Sequence, residues 1–204
     1  MDPAAALPTP PTTPVKTPSP TTTTTTTKAF VIRPSSTGGM GAYATRALAH
    51  NDVILEETPL LVVAERSHLF AALARLSRKR QTKALKLHAS DHFKPGTPWL
   101  EAVWDTNSFA TGVSRETGLF PIAARFNHAC EPRDNIHWAY DAARRRLRLW
   151  VGAEEGIAEG EELKICYGRT KTPELLYRWY GFRCACGACE GLSDQEVDSF
   201  SVKW

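Results

Sequence analysis

Arg125-Phe126-Asn127-His128-Ala129-Cys130-Glu131-Pro132 is the stretch from which the rest of the chain is read. It joins an Asn-His pair able to hydrogen-bond a polar ligand, a thiol, and a proline that stiffens the exit. Two later segments depend on it. Gly160-Glu161-Glu162-Leu163-Lys164-Ile165-Cys166-Tyr167 reads as a strand ending in a tyrosine. Tyr180-Gly181-Phe182-Arg183-Cys184-Ala185-Cys186-Gly187-Ala188-Cys189 crowds three thiols into a tight loop. A structural zinc takes four ligands in a tetrahedron and favours thiolates, so this loop is one ligand short. Cys130 can supply the missing thiol, with Cys166 as the competing donor.

With Gly39-Met40-Gly41 upstream, these segments resemble the SET-domain protein lysine methyltransferases that carry a cysteine-rich post-SET segment. That family runs Gly-x-Gly, Asn-His-Ser-Cys-x-Pro-Asn, Gly-Glu-Glu-Leu-x-Ile-x-Tyr and Phe-x-Cys-x-Cys-x2-Cys. Here the motifs stand in that order at Gly39–Gly41, Asn127–Pro132, Gly160–Tyr167 and Phe182–Cys189, and the resemblance spans Ala29 to Gly191. No single motif carries it; the ordered set does.

The resemblance implies a SET β-clip fold and transfer of a methyl group from S-adenosylmethionine to the ε-amine of a protein lysine. It places Gly39, Met40, Gly41 and Tyr43 against the methionine part of the cofactor. Asn127 and His128 would meet its amino-acid and adenine ends, and Phe182 would cover the adenine. Asn107 joins them because Thr106-Asn107-Ser108-Phe109 is similar to the Asn-Ser-Phe stretch of SET proteins that also hold a MYND zinc finger. Tyr180 would line the lysine channel. Tyr167 would orient the acceptor amine while touching the cofactor. One structural zinc would be held by Cys130, Cys184, Cys186 and Cys189, as in post-SET sites. Strand alternation then turns Cys166 away, because its neighbour Tyr167 faces the site.

The chemistry fits those residue types. Methyl transfer is an in-line displacement, so a deprotonated amine must be held against the methyl donor. Free lysine titrates near about 10.4, and a narrow apolar channel favours its neutral form. Tyrosine itself titrates near about 10, so Tyr167 is an orienting hydroxyl rather than a strong base. Three departures stand out. Ala129 replaces the usual serine, Cys166 precedes the tyrosine, and Cys130-Glu-Pro-Arg-Asp-Asn135 holds two additional residues expected to reshape the loop beside the cofactor. These departures motivate a second reading, a catalytically silent SET module acting as a zinc-stapled binding platform.

Composition bounds the rest. Of the first 28 residues, 18 are Pro or Thr, with an unbroken run from Thr21 to Thr27, so residues 1–28 read as a disordered tail. The remainder is enough for one SET domain over 29–170, a C-terminal helix and post-SET segment over 171–191, and a tail over 192–204. No run of 18 apolar residues occurs, which argues against a membrane span. The N-terminus lacks the features of a secretory or mitochondrial leader, so an intracellular protein of nucleus or cytoplasm is expected. Five cysteines, three of them crowded, favour metal over disulfides in a reducing compartment. A net charge of +3 and no second ligand pair for an independent zinc finger argue against direct nucleic-acid binding. The expected partner is a substrate protein presenting a lysine to a monomer.

Short strands without a βαβ rhythm predict a mostly-β (α+β) fold. Ala29 to Arg33 predicts a strand, and Ala47 to Glu65 one or two more. Leu69, Phe70, Leu73 and Leu76, extended by Leu85 and His88, predict an amphipathic helix over His68–Ala89 within an insert covering about 66–118. Trp99–Asn107 reads as another short helix. Asn135–Tyr140 and Arg145–Val151 read as strands joined by a turn at Asp141. Thr172-Pro173-Glu174 starts a helix that stops at Gly181.

Overall fold

The strand that delivers Tyr167 is the hub of the main sheet. We describe a computed structural model covering residues 28–201. The Pro/Thr-rich segment lies outside these residues apart from Lys28. In chain order the strands are β1 (Phe30–Pro34), β2 (Met40–Ala44), β3 (Val53–Glu57), β4 (Leu61–Val63), β5 (Ser108–Ala110), β6 (Thr117–Leu119), β7 (Asn127–His128), β8 (Ile136–Asp141), β9 (Arg146–Val151) and β10 (Glu162–Ile165). The main sheet runs β1-β2-β10-β8-β9-β3, with β7 also pairing β10. β10 is antiparallel to β2 but parallel to β7 and β8. A second sheet, β4-β6-β5, is antiparallel throughout. These small sheets of short strands are the mostly-β architecture expected.

Period-2 patterning explains the main core. Leu147, Leu149 and Val151 alternate along β9 and are all fully buried, as are Leu163 of β10 and Ile136 of β8. Phe120 and Phe126 complete the centre, with Phe30 edge-on to Phe126 at 5.1 Å and Phe109 edge-on to Phe120 at 5.8 Å. Glu57, only 7% exposed, ends β3 and accepts hydrogen bonds from the backbone N–H groups of Ile122 and Ala123. Those groups open the 3₁₀ turn Ala123–Arg125 that leads into the central motif. Burial raises the Glu57 pKa above the usual carboxylate value, against those hydrogen bonds. Glu57→Ala strands both N–H groups and is expected to lower stability by about 3 kcal/mol, measured by denaturant unfolding.

The insert differs from one amphipathic helix. It holds α1 (Leu69–Ala74), α2 (Arg78–Leu85) and α3 (Trp99–Asn107). The chain breaks at Ser77, which is extended at φ −61°, ψ 153°. The reason is visible in the side chains, since Arg78-Lys79-Arg80-Gln81 offers nothing apolar to continue the buried stripe. Leu69, Ala84, Leu87, Leu100 and Val103 instead form a second core against β4 and β6.

Helix α4 (Pro173–Tyr180) has Thr172 as N-cap, accepting from the Leu175 N–H at 3.3 Å, with Pro173 at the first position. Gly181 ends it in the left-handed region at φ 77°, where a Cβ would also press on Ser90 Oγ at 2.9 Å. The segment read as a C-terminal tail contains α5 (Asp194–Ser201), with Val197 buried. Its signal was present: Ser193-x-x-Glu196 is a capping box, with the Ser193 N–H donating to Glu196 and the Glu196 N–H to Ser193 Oγ. Among the described residues no helix is long and apolar enough to cross a membrane.

Candidate active site

The central motif forms a two-residue strand laid beside β10, with Asn127 opposite Lys164 and His128 opposite Ile165. This pairing fixes His128. Its Nδ1 accepts from the Tyr167 backbone N–H at 3.1 Å, and its Nε2 lies 3.2 Å from Cys130 Sγ. A ring that accepts at Nδ1 while neutral carries its proton at Nε2, so it donates toward the sulfur. Burial lowers the His128 pKa to about 4, which keeps the ring neutral. His128 therefore ties the thiol of Cys130 to the backbone of Tyr167. The sequence alone shows neither contact.

Tyr167 donates its hydroxyl proton to the Phe126 carbonyl at 3.0 Å. Its ring packs on Tyr180 at 4.8 Å, on His128 at 5.1 Å and on Phe182 at 6.3 Å. Burial raises the Tyr167 pKa and pushes Tyr180 up to about 12, so both hydroxyls stay protonated at neutral pH. The loop with two additional residues is held to β10 by Asn135. Its Oδ1 accepts the Lys164 N–H at 2.8 Å, and its Nδ2 donates to the Glu162 carbonyl at 3.0 Å.

A cavity of about 470 Å³ opens at this point. Of the residues picked out from the sequence, Gly39, Met40, Asn107, Asn127, His128, Tyr167, Tyr180 and Phe182 all line it. Asn107 does so with its amide nitrogen already committed, donating to the carbonyls of His88 and Val103 at the end of α3. Two of the residues picked out, Gly41 and Tyr43, are not among those lining it. Tyr43 is absent from the wall, because it points to the face of β2 opposite the buried Ala42 and Ala44, with the Arg33 guanidinium 3.8 Å over its ring. At Gly41 a Cβ would meet Glu162 Oε1 at 2.3 Å and Asn127 Nδ2 at 3.0 Å.

Glu162 is the residue that motif reading misses. Its Oε1 accepts from Asn127 Nδ2 at 2.8 Å and from Ser35 Oγ at 2.7 Å, while Lys164 Nζ lies 3.3 Å from its Oε2. One N–H of the Asn127 amide is thereby anchored, leaving its Oδ1 and its second N–H for a ligand. A glutamate held against a glycine notch beside the motif asparagine is the signal that points to it.

The thiols converge as well. The Sγ atoms of Cys130, Cys184, Cys186 and Cys189 all lie within 4.8 Å of one another, and Cys166 is outside the group. Cys130 and Cys184 are 3.8 Å apart, and Cys186 and Cys189 are 4.0 Å apart. A tetrahedral thiolate site with metal–sulfur bonds of about 2.3 Å has edges of about 3.8 Å, so the arrangement fits. Burial raises the Cys184 thiol, whereas at Cys186 hydrogen bonds overcome burial and lower it. Such a packet ionises one thiol at the expense of its neighbours unless a cation joins them.

Comparison with known proteins agrees with this geometry. Residues 39–168 match the family described as SET domain. The mouse "Protein-lysine N-methyltransferase SMYD4" is 32% identical over 80 residues, which is 36% of this chain and 9% of the mouse protein. The Arabidopsis thaliana "Histone-lysine N-methyltransferase ATXR4" is 31% identical over 77 residues, or 35% of this chain and 22% of that protein. Among solved structures, "Crystal structure of the SET domain of LSMT bound to Lysine and AdoHcy" aligns with a TM-score of 0.52 at 14% identity, covering 78% of this chain and 53% of that one. The chain thus spans only a small part of the length of these curated relatives. With the ordered motifs, the strand pairing around β10 and the family match over most of the described residues, the chain belongs to the SET-domain family.

Proposed function

We propose that the chain is a protein lysine N-methyltransferase using S-adenosylmethionine. One observation carries this reading. The cavity of about 470 Å³ and a second of about 240 Å³ share Thr106, Asn107, Ala124, Tyr167 and Tyr180 in their walls. A two-substrate transfer needs two pockets that meet where the reacting atoms meet. The larger has the size of a small-molecule site, on the order of 300–1,000 Å³. The smaller is walled by Phe109, Phe126, Trp138 and Ile165, surroundings that favour a neutral amine and that suit a methylated cation. The names of the curated relatives, both lysine methyltransferases, point the same way.

When bound in the larger cavity, S-adenosylmethionine would supply an electrophilic methyl group on a sulfonium. The anchored Asn127 and the Gly39–Met40 backbone are the polar wall for its amino-acid end, and Phe182 offers a ring face for its adenine. Tyr167 would orient the acceptor amine, with its hydroxyl fixed by the Phe126 carbonyl. Aromatic walls exclude water from the acceptor and lower the free energy of losing its proton. The cluster of Cys130, Cys184, Cys186 and Cys189 would hold one zinc, the closed four-thiolate set of a structural site.

Glu162→Ala is expected to weaken S-adenosylmethionine binding about tenfold, by releasing the Asn127 amide, in a calorimetric titration. The reading itself is tested by titrating S-adenosylmethionine into zinc-loaded protein, then following radiolabelled methyl transfer onto a whole-cell extract. Binding with a labelled band is the expected result. Binding without any labelled protein would turn the reading toward a silent, zinc-stapled binding module.

A further inference from the structure

The acceptor-side cavity has a lysine of this chain in its wall. After Tyr167 the backbone doubles back, and the Lys171 N–H donates to the Gly168 carbonyl at 3.1 Å. The Lys171 stem lies along Gly168, where a Cβ would sit 3.3 Å from its Cε. The ammonium end lies 5.0 Å from the ring centre of Trp179 and 5.2 Å from that of Tyr180. Lys171 lines the cavity of about 240 Å³ beside Tyr167, Phe109, Phe126 and Trp138. The ring of Tyr180 that carries it is the one stacked at 4.8 Å on Tyr167.

Its surroundings are those of an acceptor rather than of a structural lysine. Lys164 nearby pairs with Glu162 at 3.3 Å, but among the described residues no carboxylate lies within 4.0 Å of Lys171. Its contacts are the aromatic faces of Trp179 and Tyr180. Burial acts against the charge and lowers the Lys171 pKa below that of a free lysine, which brings the nucleophilic form within reach. The flanking Arg169 and Thr170 are exposed, and Arg169 Nε donates to Glu131 Oε1 at 2.8 Å. Lys171 shares the wall of the smaller cavity with Tyr167 and Tyr180, both of which also line the larger one.

We propose that Lys171 is a methyl acceptor of the chain's own site, modified in cis; this rests on the transfer reading above. The lone pair of the neutral Lys171 amine forms the new N–C bond to the methyl carbon of S-adenosylmethionine. The C–S bond breaks with its electrons going to sulfur, which leaves as the thioether S-adenosylhomocysteine. One amine proton passes to water. No oxidant or reductant is involved. A substrate lysine entering the same smaller cavity would compete with Lys171 for the methyl group.

The test uses purified, zinc-loaded full chain with radiolabelled S-adenosylmethionine, once alone and once with a whole-cell extract, followed by peptide mass spectrometry. The expected result is self-labelling at Lys171, with the fraction labelled per unit time independent of protein concentration, as an intramolecular step requires. Lys171→Arg, which keeps the charge and the aromatic contacts, should lose the self-label and keep its melting temperature. Labelled extract proteins beside an unlabelled Lys171 would overturn the proposal and leave the transferase reading standing. Label on Lys171 at a rate that rises with protein concentration would overturn the cis assignment. No label on either the chain or the extract, from protein that binds S-adenosylmethionine, would overturn both.

Discussion

Replacing Tyr167 by phenylalanine is expected to slow methyl transfer by about 10²-fold while S-adenosylmethionine affinity stays within about twofold. The substitution removes one atom group, the hydroxyl that donates to the Phe126 carbonyl at 3.0 Å. The ring stays, so its packing on Tyr180, His128 and Phe182 survives. The backbone N–H that meets His128 Nδ1 also survives. A loss confined to the transfer step therefore isolates the hydroxyl's part in positioning the amine. Burial holds that hydroxyl protonated, so it acts as an oriented dipole and the rise of rate with pH belongs to the acceptor amine. Single-turnover transfer and calorimetry on one preparation check this. Unchanged turnover would remove Tyr167 from the chemistry.

The second large effect is expected from the thiol cluster. On the proposed zinc site, Cys186→Ser, or chelation of the parent protein, should abolish binding of one zinc per chain and lower the melting temperature by about 10 °C, for about 4 kcal/mol of lost stabilisation. Transfer should be lost with it. The cluster joins Cys130, next to the motif strand, to the loop that follows Tyr180 and Phe182, so both rings lose their anchor. His128, held between Cys130 Sγ and the Tyr167 N–H, passes the disturbance to Tyr167. Metal analysis, thermal unfolding and transfer assays on the same sample check it. Full transfer by a folded, metal-free chain would show that the cluster is dispensable for the chemistry.

The sequence marks the site where chemistry is dense. Asn127-His128, Tyr167 and the cysteine run each combine rare residue types at fixed spacing, and the structure gathers them around one cavity and one thiol group. The bounds of α4 are equally legible, because Thr172, Pro173 and Gly181 act through local backbone physics. What the sequence hides is set by distant neighbours. Tyr43 leaves the cavity because β2 must bury Ala42 and Ala44, which its own stretch does not reveal. The work of Glu162 depends on Ser35, Gly41 and Asn127 arriving from elsewhere. The strands β4, β5 and β6 are three residues each, too short to show a period. The break at Ser77 reflects which side chains the second core takes up, and α5 was overlooked although its capping box is local.

The placement of β10 also governs when the fold can form during synthesis. Its Glu162 bonds Ser35 across 127 residues, and its backbone fills the gap between β2 and β8. At about 5–20 residues per second, a ribosome needs about 6–25 s to make that separation. Throughout that interval the inner edge of β2 lacks its neighbour, an open strand edge of the kind that recruits other chains. The nascent protein thus passes through a window of aggregation risk that closes only once β10 has emerged, before the thiol-bearing segment Cys184–Cys189 has followed it.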